Sequence, residues 1–336
     1  MKFRKSHREE TPVSIDDTNP LETEGGETAA PEPAEPVQPA GTADSAESAE
    51  PAAARYKFPT WYDLLALVGL YVVIQLVVVL VMLLAGAKMP DAAALGSADE
   101  AVAEQAHAAA AQFNFYAYPL TMGLMIGLTL LYRRLRSGNH RMGRYAARGL
   151  NPVLILWGML LMTAANIVLE PLLQLLPEIP DFFGRGWQAL LLTVVMAPIA
   201  EEFLCRGILL DAARAKGGAA YGLLFSAVFF GVIHFYPAAV VNAFVMGLVL
   251  GFIYIRSNSL YIVVILHAFN NALAMLLLTL GYGHTTLHEL MAGHGLGTLY
   301  TAVYGVSLGI FIWAGYMVWK TIARLRQQEQ AAAEAQ

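Results

Sequence analysis

Residues 187–210 read WQALLLTVVMAPIAEEFLCRGILL, and this stretch decides the class of fold. From Leu190 to Ala200 it is almost wholly apolar, a run that lipid tolerates far better than water does. Seven further apolar segments accompany it, near 62–86, 115–132, 152–176, 219–235, 238–255, 260–281 and 298–320. Several reach the ~20 residues needed to cross hydrocarbon. A backbone in lipid must satisfy its own hydrogen bonds, so segments this long predict helices rather than barrel strands. The expected fold is all-α, a polytopic membrane bundle of about eight transmembrane helices.

Composition agrees. Of the 336 residues, 57% are hydrophobic and 14% charged, against about a quarter charged in a soluble domain. The net charge of −5 sits mostly in the N-terminal region and says little about partners. Cys205 is the single cysteine, which excludes a disulfide framework or a Cys-rich metal site. Residues 1–56 have a different character. After Lys2, Arg4, Lys5 and Arg8 they turn acidic and rich in Pro, Ala and Glu, with too little apolar area to offset the entropy of ordering. A disordered tail is expected there. It is not a signal peptide, because the first apolar segment begins too late and no small-residue cleavage pattern follows. The expected organisation is this cytoplasmic tail, a transmembrane helical domain over 57–325, and a short cytoplasmic tail over 326–336.

Lysine and arginine give an independent test of topology. With eight helices and both termini inside, the inner segments hold Arg55, Lys57, Arg133, Arg134, Arg136, Arg141, Arg144, Arg148, Arg206, Arg214, Lys216, Arg256, Lys320, Arg324 and Arg326. With the four basic residues of the start this makes 19 of 21, leaving Lys88 and Arg185 outside. So one-sided a distribution follows the positive-inside rule and supports an even helix count. A multi-pass protein of the cell membrane (the inner membrane of a bacterium) is expected, with both termini cytoplasmic and a loop over 88–112 outside. Trp61, Tyr62, Trp187, Tyr300 and Trp319 fit an interfacial belt. Topology and anionic-lipid contact account for the basic loop 133–148, so no nucleic-acid partner is expected.

Ionisable residues inside membrane segments are functional hypotheses by default. They fall into three groups here. In the first, Glu201-Glu202-Phe203-Leu204-Cys205-Arg206, adjacent glutamates point about 100° apart on a helix. Glu202 and Arg206, four apart, can pair, which leaves Glu201 free to face a cavity and act as a proton acceptor. A structural ion-pair cluster is the plainer alternative. In the second, Phe230 and His234 lie one turn apart, and a lone histidine at such a place can equally be a satisfied core residue. In the third, His267 and Asn271 share a face while Asn270 is rotated slightly away. Interhelical hydrogen bonding is the alternative there.

Taken together, a carboxylate, two imidazoles and a carboxamide suffice for peptide hydrolysis. Glu201 and His234 can hold a water and remove its proton, while His267 and Asn271 donate to the developing oxyanion. Glu201, His234 and His267 can equally ligate Zn²⁺, which activates the same water. The residues leave that choice open. One depth problem arises: His234 falls near the outer end of its segment, while Glu201 and His267 sit deeper. A helix that runs on past the membrane surface and turns near Gly217-Gly218 resolves it, and a tilted or broken helix would also serve.

These three groups are similar to the motifs EExxxR, FxxxH and HxxxN of the CPBP family of intramembrane proteases, which includes the CAAX prenyl endopeptidase and bacterial relatives linked to bacteriocin processing or immunity. Glu201, Glu202 and Arg206 match the first, Phe230 and His234 the second, and His267 and Asn271 the third. The likeness spans roughly 187–275. It implies a helical membrane bundle whose site opens towards the cytoplasm. Glu201 is then the catalytic glutamate acting with His234, and His267 and Asn271 are the oxyanion stabilisers. Glu202, Arg206 and Phe230 are supporting residues, and a metal-free glutamate mechanism is favoured over zinc. The implied partners are membrane lipid and a peptide or protein cleaved on the cytoplasmic side.

Two other functions fit the same polar groups: a non-catalytic, immunity-like scaffold, and a small transporter, although no internal repeat of broken helices is evident. His284, His288, Glu289 and His294 form a further polar group, but His288-Glu289-Leu290-Met291-Ala292 lacks the second histidine of a zinc motif. An outer-loop turn is expected there.

Overall fold

The computed structural model describes residues 57–137, 150–177, 184–283 and 285–334. The tail expected to be disordered over 1–56, most of the basic loop and His284 lie outside them. Among the described residues the structure is helical, and seven helices are long and apolar enough to cross a membrane. The chain is a multi-pass membrane protein.

The first three are α1 (Trp61–Leu84), α2 (Glu100–Ser137) and α3 (Pro152–Leu173). The fourth continuous helix runs Trp187–Val232 over 46 residues, but it is not a straight rod. At Gly218 the backbone takes φ 81° and ψ −179°, a region that only glycine adopts readily. Ser226 Oγ donates to the Cys205 carbonyl at 2.9 Å although the two are 21 residues apart. A straight helix would separate them by about 31 Å. The chain therefore doubles back at 217–218 into two antiparallel rods, α4 (187–217) and α5 (219–232). After these come α6 (Pro237–Ser257), α7 (Leu260–Thr279) and α8 (Tyr300–Glu334). Among the described residues the seven candidate spanning helices thus give eight rods, close to the count of about eight expected.

This hairpin removes the depth problem. Glu201 precedes Gly217 by 16 residues and His234 follows Gly218 by 16, so each rises about 24 Å from the turn. Glycine also sets the approach of α5 to α6. A Cβ on Gly231 would lie 3.0 Å from the Val240 carbonyl oxygen, and one on Gly247 would lie 3.1 Å from Ala227 Cα. Small residues at such contacts let membrane helices pack by dispersion, where the lipid offers no hydrophobic drive.

Two apolar clusters flank the hairpin. One gathers Leu67, Met122, Ile208, Phe225 and Phe229 from α1, α2, α4 and α5. The other gathers Met162, Leu250, Leu266 and Val318 from α3, α6, α7 and α8, with Leu210 reaching in from α4. At one end, Asp63 completes a capping box with Thr60. It also accepts from Tyr132 OH at 2.6 Å and Arg136 Nε at 3.1 Å, joining the start of α1 to the end of α2.

Two expectations need correcting. The segment expected as a loop over 88–112 contains a short helix, Ala92–Leu95, and α2 already begins at Glu100. Residues 100–112 are rich in alanine, a strong helix former that is only weakly hydrophobic. A membrane-segment reading detects the span and misses its helical extension. For the same reason α8 runs on to Glu334. The outer-loop turn expected around His288 and Glu289 is instead a short helix, Leu287–Gly293, opened by a capping box between Thr286 and Glu289. The Thr286 hydrogen bonds hold the Glu289 carboxyl below its usual range.

Gly218→Val should lower the midpoint of thermal unfolding in detergent, because a β-branched residue at that backbone geometry costs about 1–3 kcal/mol. Gly127, on α2 with open space around its Cβ position, tests the alternative. Equal effects of Gly218→Val and Gly127→Ala would contradict the hairpin's dependence on Gly218.

Candidate active site

Glu201 and Glu202 sit at the end of the α-helical turn Ala197–Glu202, which is bracketed by two π-helical stretches, Leu192–Met196 and Phe203–Leu210. Such bulges widen a helix and recur at functional sites. The adjacent glutamates have separate partners. Glu202 is fully buried, and its Oε1 accepts from Arg206 Nη1 at 2.7 Å and from His267 Nδ1 at 2.8 Å. Arg206, also fully buried, donates from Nη2 to the Gly247 carbonyl at 3.2 Å. One carboxylate thus joins α4, α7 and, through Arg206, α6.

Glu201 faces elsewhere. Its Oε1 accepts from Tyr118 OH at 2.6 Å, and its Oε2 stands 3.7 Å from His267 Nε2. That separation is too long for a direct hydrogen bond and suits a water shared by both groups. His267 therefore lies between the two glutamates, with Nδ1 engaged by Glu202 and Nε2 turned towards Glu201.

His234 ends α5. Its Nδ1 lies 2.7 Å from the Phe230 carbonyl. A carbonyl only accepts, so the proton is on Nδ1 and the Nε2 lone pair is left free. The Phe230 ring is the common wall: 4.9 Å from the His234 ring, 5.6 Å from the His267 ring, with the Arg206 guanidinium 4.7 Å from its centroid.

Asn271 lies one turn beyond His267, and its Nδ2 donates to the Thr193 carbonyl in the first π-helical stretch at 2.9 Å. One N–H of that amide remains available. Asn270 turns to α3, where it accepts from Asn166 at 2.8 Å. The structure thus gathers Glu201, Glu202, Arg206, Phe230 and His267 directly, with His234 reaching them only through the Phe230 ring and Asn271 at the edge.

Sequence reasoning missed Tyr118, Thr193, Gly247 and Asn166. Two of these contribute backbone carbonyls, which leave no side-chain signature. Tyr118, 83 residues before Glu201, reads in sequence as one more aromatic in an apolar helix. Among the described residues no three His, Cys, Asp or Glu side chains gather closely enough to hold a metal ion. In this arrangement Glu201, His234 and His267 do not fit a three-ligand zinc centre.

Glu202→Ala would leave Arg206 charged and buried without its partner, at a cost of about 3–5 kcal/mol. Unfolding in detergent should show that loss, and adding Arg206→Leu should recover part of it. A loss below about 1 kcal/mol, as for a surface pair, would contradict the buried network.

No curated protein and no solved structure matches the chain. The family model of the Rce1-like type II CAAX prenyl endopeptidases matches residues 184–273, a stretch that contains all three motifs and leaves α1, α2, α3 and α8 outside. Over that core the chain is similar to CAAX-type endopeptidases of the CPBP family, a likeness that supports an intramembrane protease.

Proposed function

We propose that the protein is an intramembrane endopeptidase in which Glu201 and His234 activate a water for attack on a scissile amide. The single observation that carries this reading is the orientation of Glu201. One oxygen is held by Tyr118 at 2.6 Å and the other faces His267 Nε2 across 3.7 Å. A water seated there lies beside a carboxylate that Arg206 does not bind, since the guanidinium pairs with Glu202.

The chemistry runs as general base catalysis followed by general acid catalysis. Glu201 Oε2, helped by the free His234 Nε2, takes a proton as the water oxygen bonds to the carbonyl carbon. His267 Nε2 and the second N–H of Asn271 donate to the oxyanion as charge develops on it. Donation from Nε2 uses His267 with both ring nitrogens protonated, a cation that Glu202 beneath and Glu201 opposite are placed to stabilise. Collapse breaks the C–N bond, and the proton held by Glu201 or His234 passes to the leaving amine. The mechanism as proposed uses no metal.

The one-sided lysine and arginine distribution supports a cell inner-membrane orientation with both termini cytoplasmic. The substrate is then a membrane-associated peptide or protein cleaved near the cytoplasmic face. The domain limits proposed are a transmembrane body over 57–325 between terminal segments 1–56 and 326–336.

In membranes expressing the protein, Glu201→Ala should abolish cleavage of a cytoplasmic-side peptide while the protein stays folded. His267→Ala and Asn271→Ala should each lose roughly 10²–10³-fold in kcat. A strong metal chelator should leave wild-type turnover unchanged. Retained cleavage in Glu201→Ala would remove Glu201 as the base, absence of cleavage by the wild type would favour a binding scaffold, and loss of activity to the chelator would restore the zinc mechanism.

A further inference from the structure

Glu201 has a partner from outside the matched core. Tyr118 lies on α2, and its hydroxyl donates to Glu201 Oε1 at 2.6 Å, within the range of an O–H bonded to an ionised carboxylate. Neither the EExxxR, FxxxH and HxxxN motifs nor residues 184–273 include it. The neighbouring residue, Pro119, lies inside α2, where it cannot donate to the carbonyl one turn back. A second contact comes from α1. The Tyr71 ring stacks on Phe235 at 5.9 Å and 17°, in the turn just after His234, and Tyr71 OH accepts from Gln75 at 3.0 Å. α1 and α2 thus close the side of the site opposite α7.

We infer that Tyr118 is a positioning residue for the proposed peptidase reaction: it occupies Glu201 Oε1, so that Oε2 alone is presented to the water and to His267. A carboxylate on a helix can rotate about its terminal torsion, which is broad and two-fold. Two equivalent oxygens would leave the attacking water without a fixed seat. Donation from Tyr118 removes that freedom. Tyr71, Cys205 and His267 are the other titratable groups within electrostatic reach of Glu201, beside its chain neighbour Glu202. None of the contacts described gives its Oε1 a different donor.

This inference rests on the peptidase reading, and the test separates the two. Tyr118→Phe should lower kcat roughly 10–100-fold, as loss of an orienting partner does, with KM unchanged. The control is Tyr132→Phe. It removes the same kind of bond, 2.6 Å to the Asp63 carboxylate, from the same helix but away from the site, and should leave kcat unchanged. On a Glu201→Asp background, where residual turnover is measurable and the carboxylate is displaced from Tyr118, adding Tyr118→Phe should cost little more. Wild-type kcat in Tyr118→Phe overturns the inference. So does a loss equal to that of Tyr132→Phe, or one fully additive with Glu201→Asp. Absence of cleavage by the wild-type protein overturns the peptidase reading itself, and wild-type cleavage by Glu201→Ala removes Glu201 as its base.

Discussion

A carboxylate sealed from water must be neutralised where it stands, and Glu202 meets that demand by binding two donors on one oxygen. Arg206 and His267 approach it at 2.7 and 2.8 Å, and the guanidinium passes on to Gly247. Desolvating such charges costs several kcal/mol each, so the network is weak support for stability as such. Its effect is geometric. It fixes the rotation of α4 against α6 and α7, and with it the direction of Glu201 one residue away. It also fixes which ring nitrogen of His267 is left for chemistry.

The hairpin at Gly218 is the second requirement. A rod of α5's length covers about 21 Å, less than the hydrocarbon thickness of about 30 Å. Only by starting at the 217–218 turn, beneath the site, does α5 carry Phe230 to the level of Arg206 and His267, with His234 two residues past its end. Phe230 then fills the space among Arg206, His234 and His267. The polar groups are held around an aromatic wall rather than chained by hydrogen bonds alone. The two π-helical stretches around Ala197–Glu202 add to this, since one of them supplies the Thr193 carbonyl that receives Asn271.

Much of this was legible in the sequence because lipid makes two signals loud. Apolar runs mark the helices, and polar residues inside them stand out. The pairing of Glu202 with Arg206 follows from a spacing of four, and the turn near Gly217-Gly218 follows from the depth mismatch of His234. Less visible was whatever lacks contrast. The alanine-rich start of α2 is helical without being apolar enough to register. Tyr118 resembles any aromatic of a membrane helix until the fold brings α2 against α4. The role of Glu202 as a shared acceptor, rather than a partner of Arg206 alone, depends on α7 arriving with His267 at the right height. No local spacing encodes that.

The account stands or falls on Glu201 as the group that accepts the proton of the attacking water. The most direct test is the single-turnover rate of purified Glu201→Gln, an isosteric change that keeps an oxygen for Tyr118 but removes the basic carboxylate. The account predicts a loss of roughly 10²–10⁴-fold in the chemical step with substrate binding intact. A rate within a few-fold of wild type, in protein shown to be folded, would contradict it.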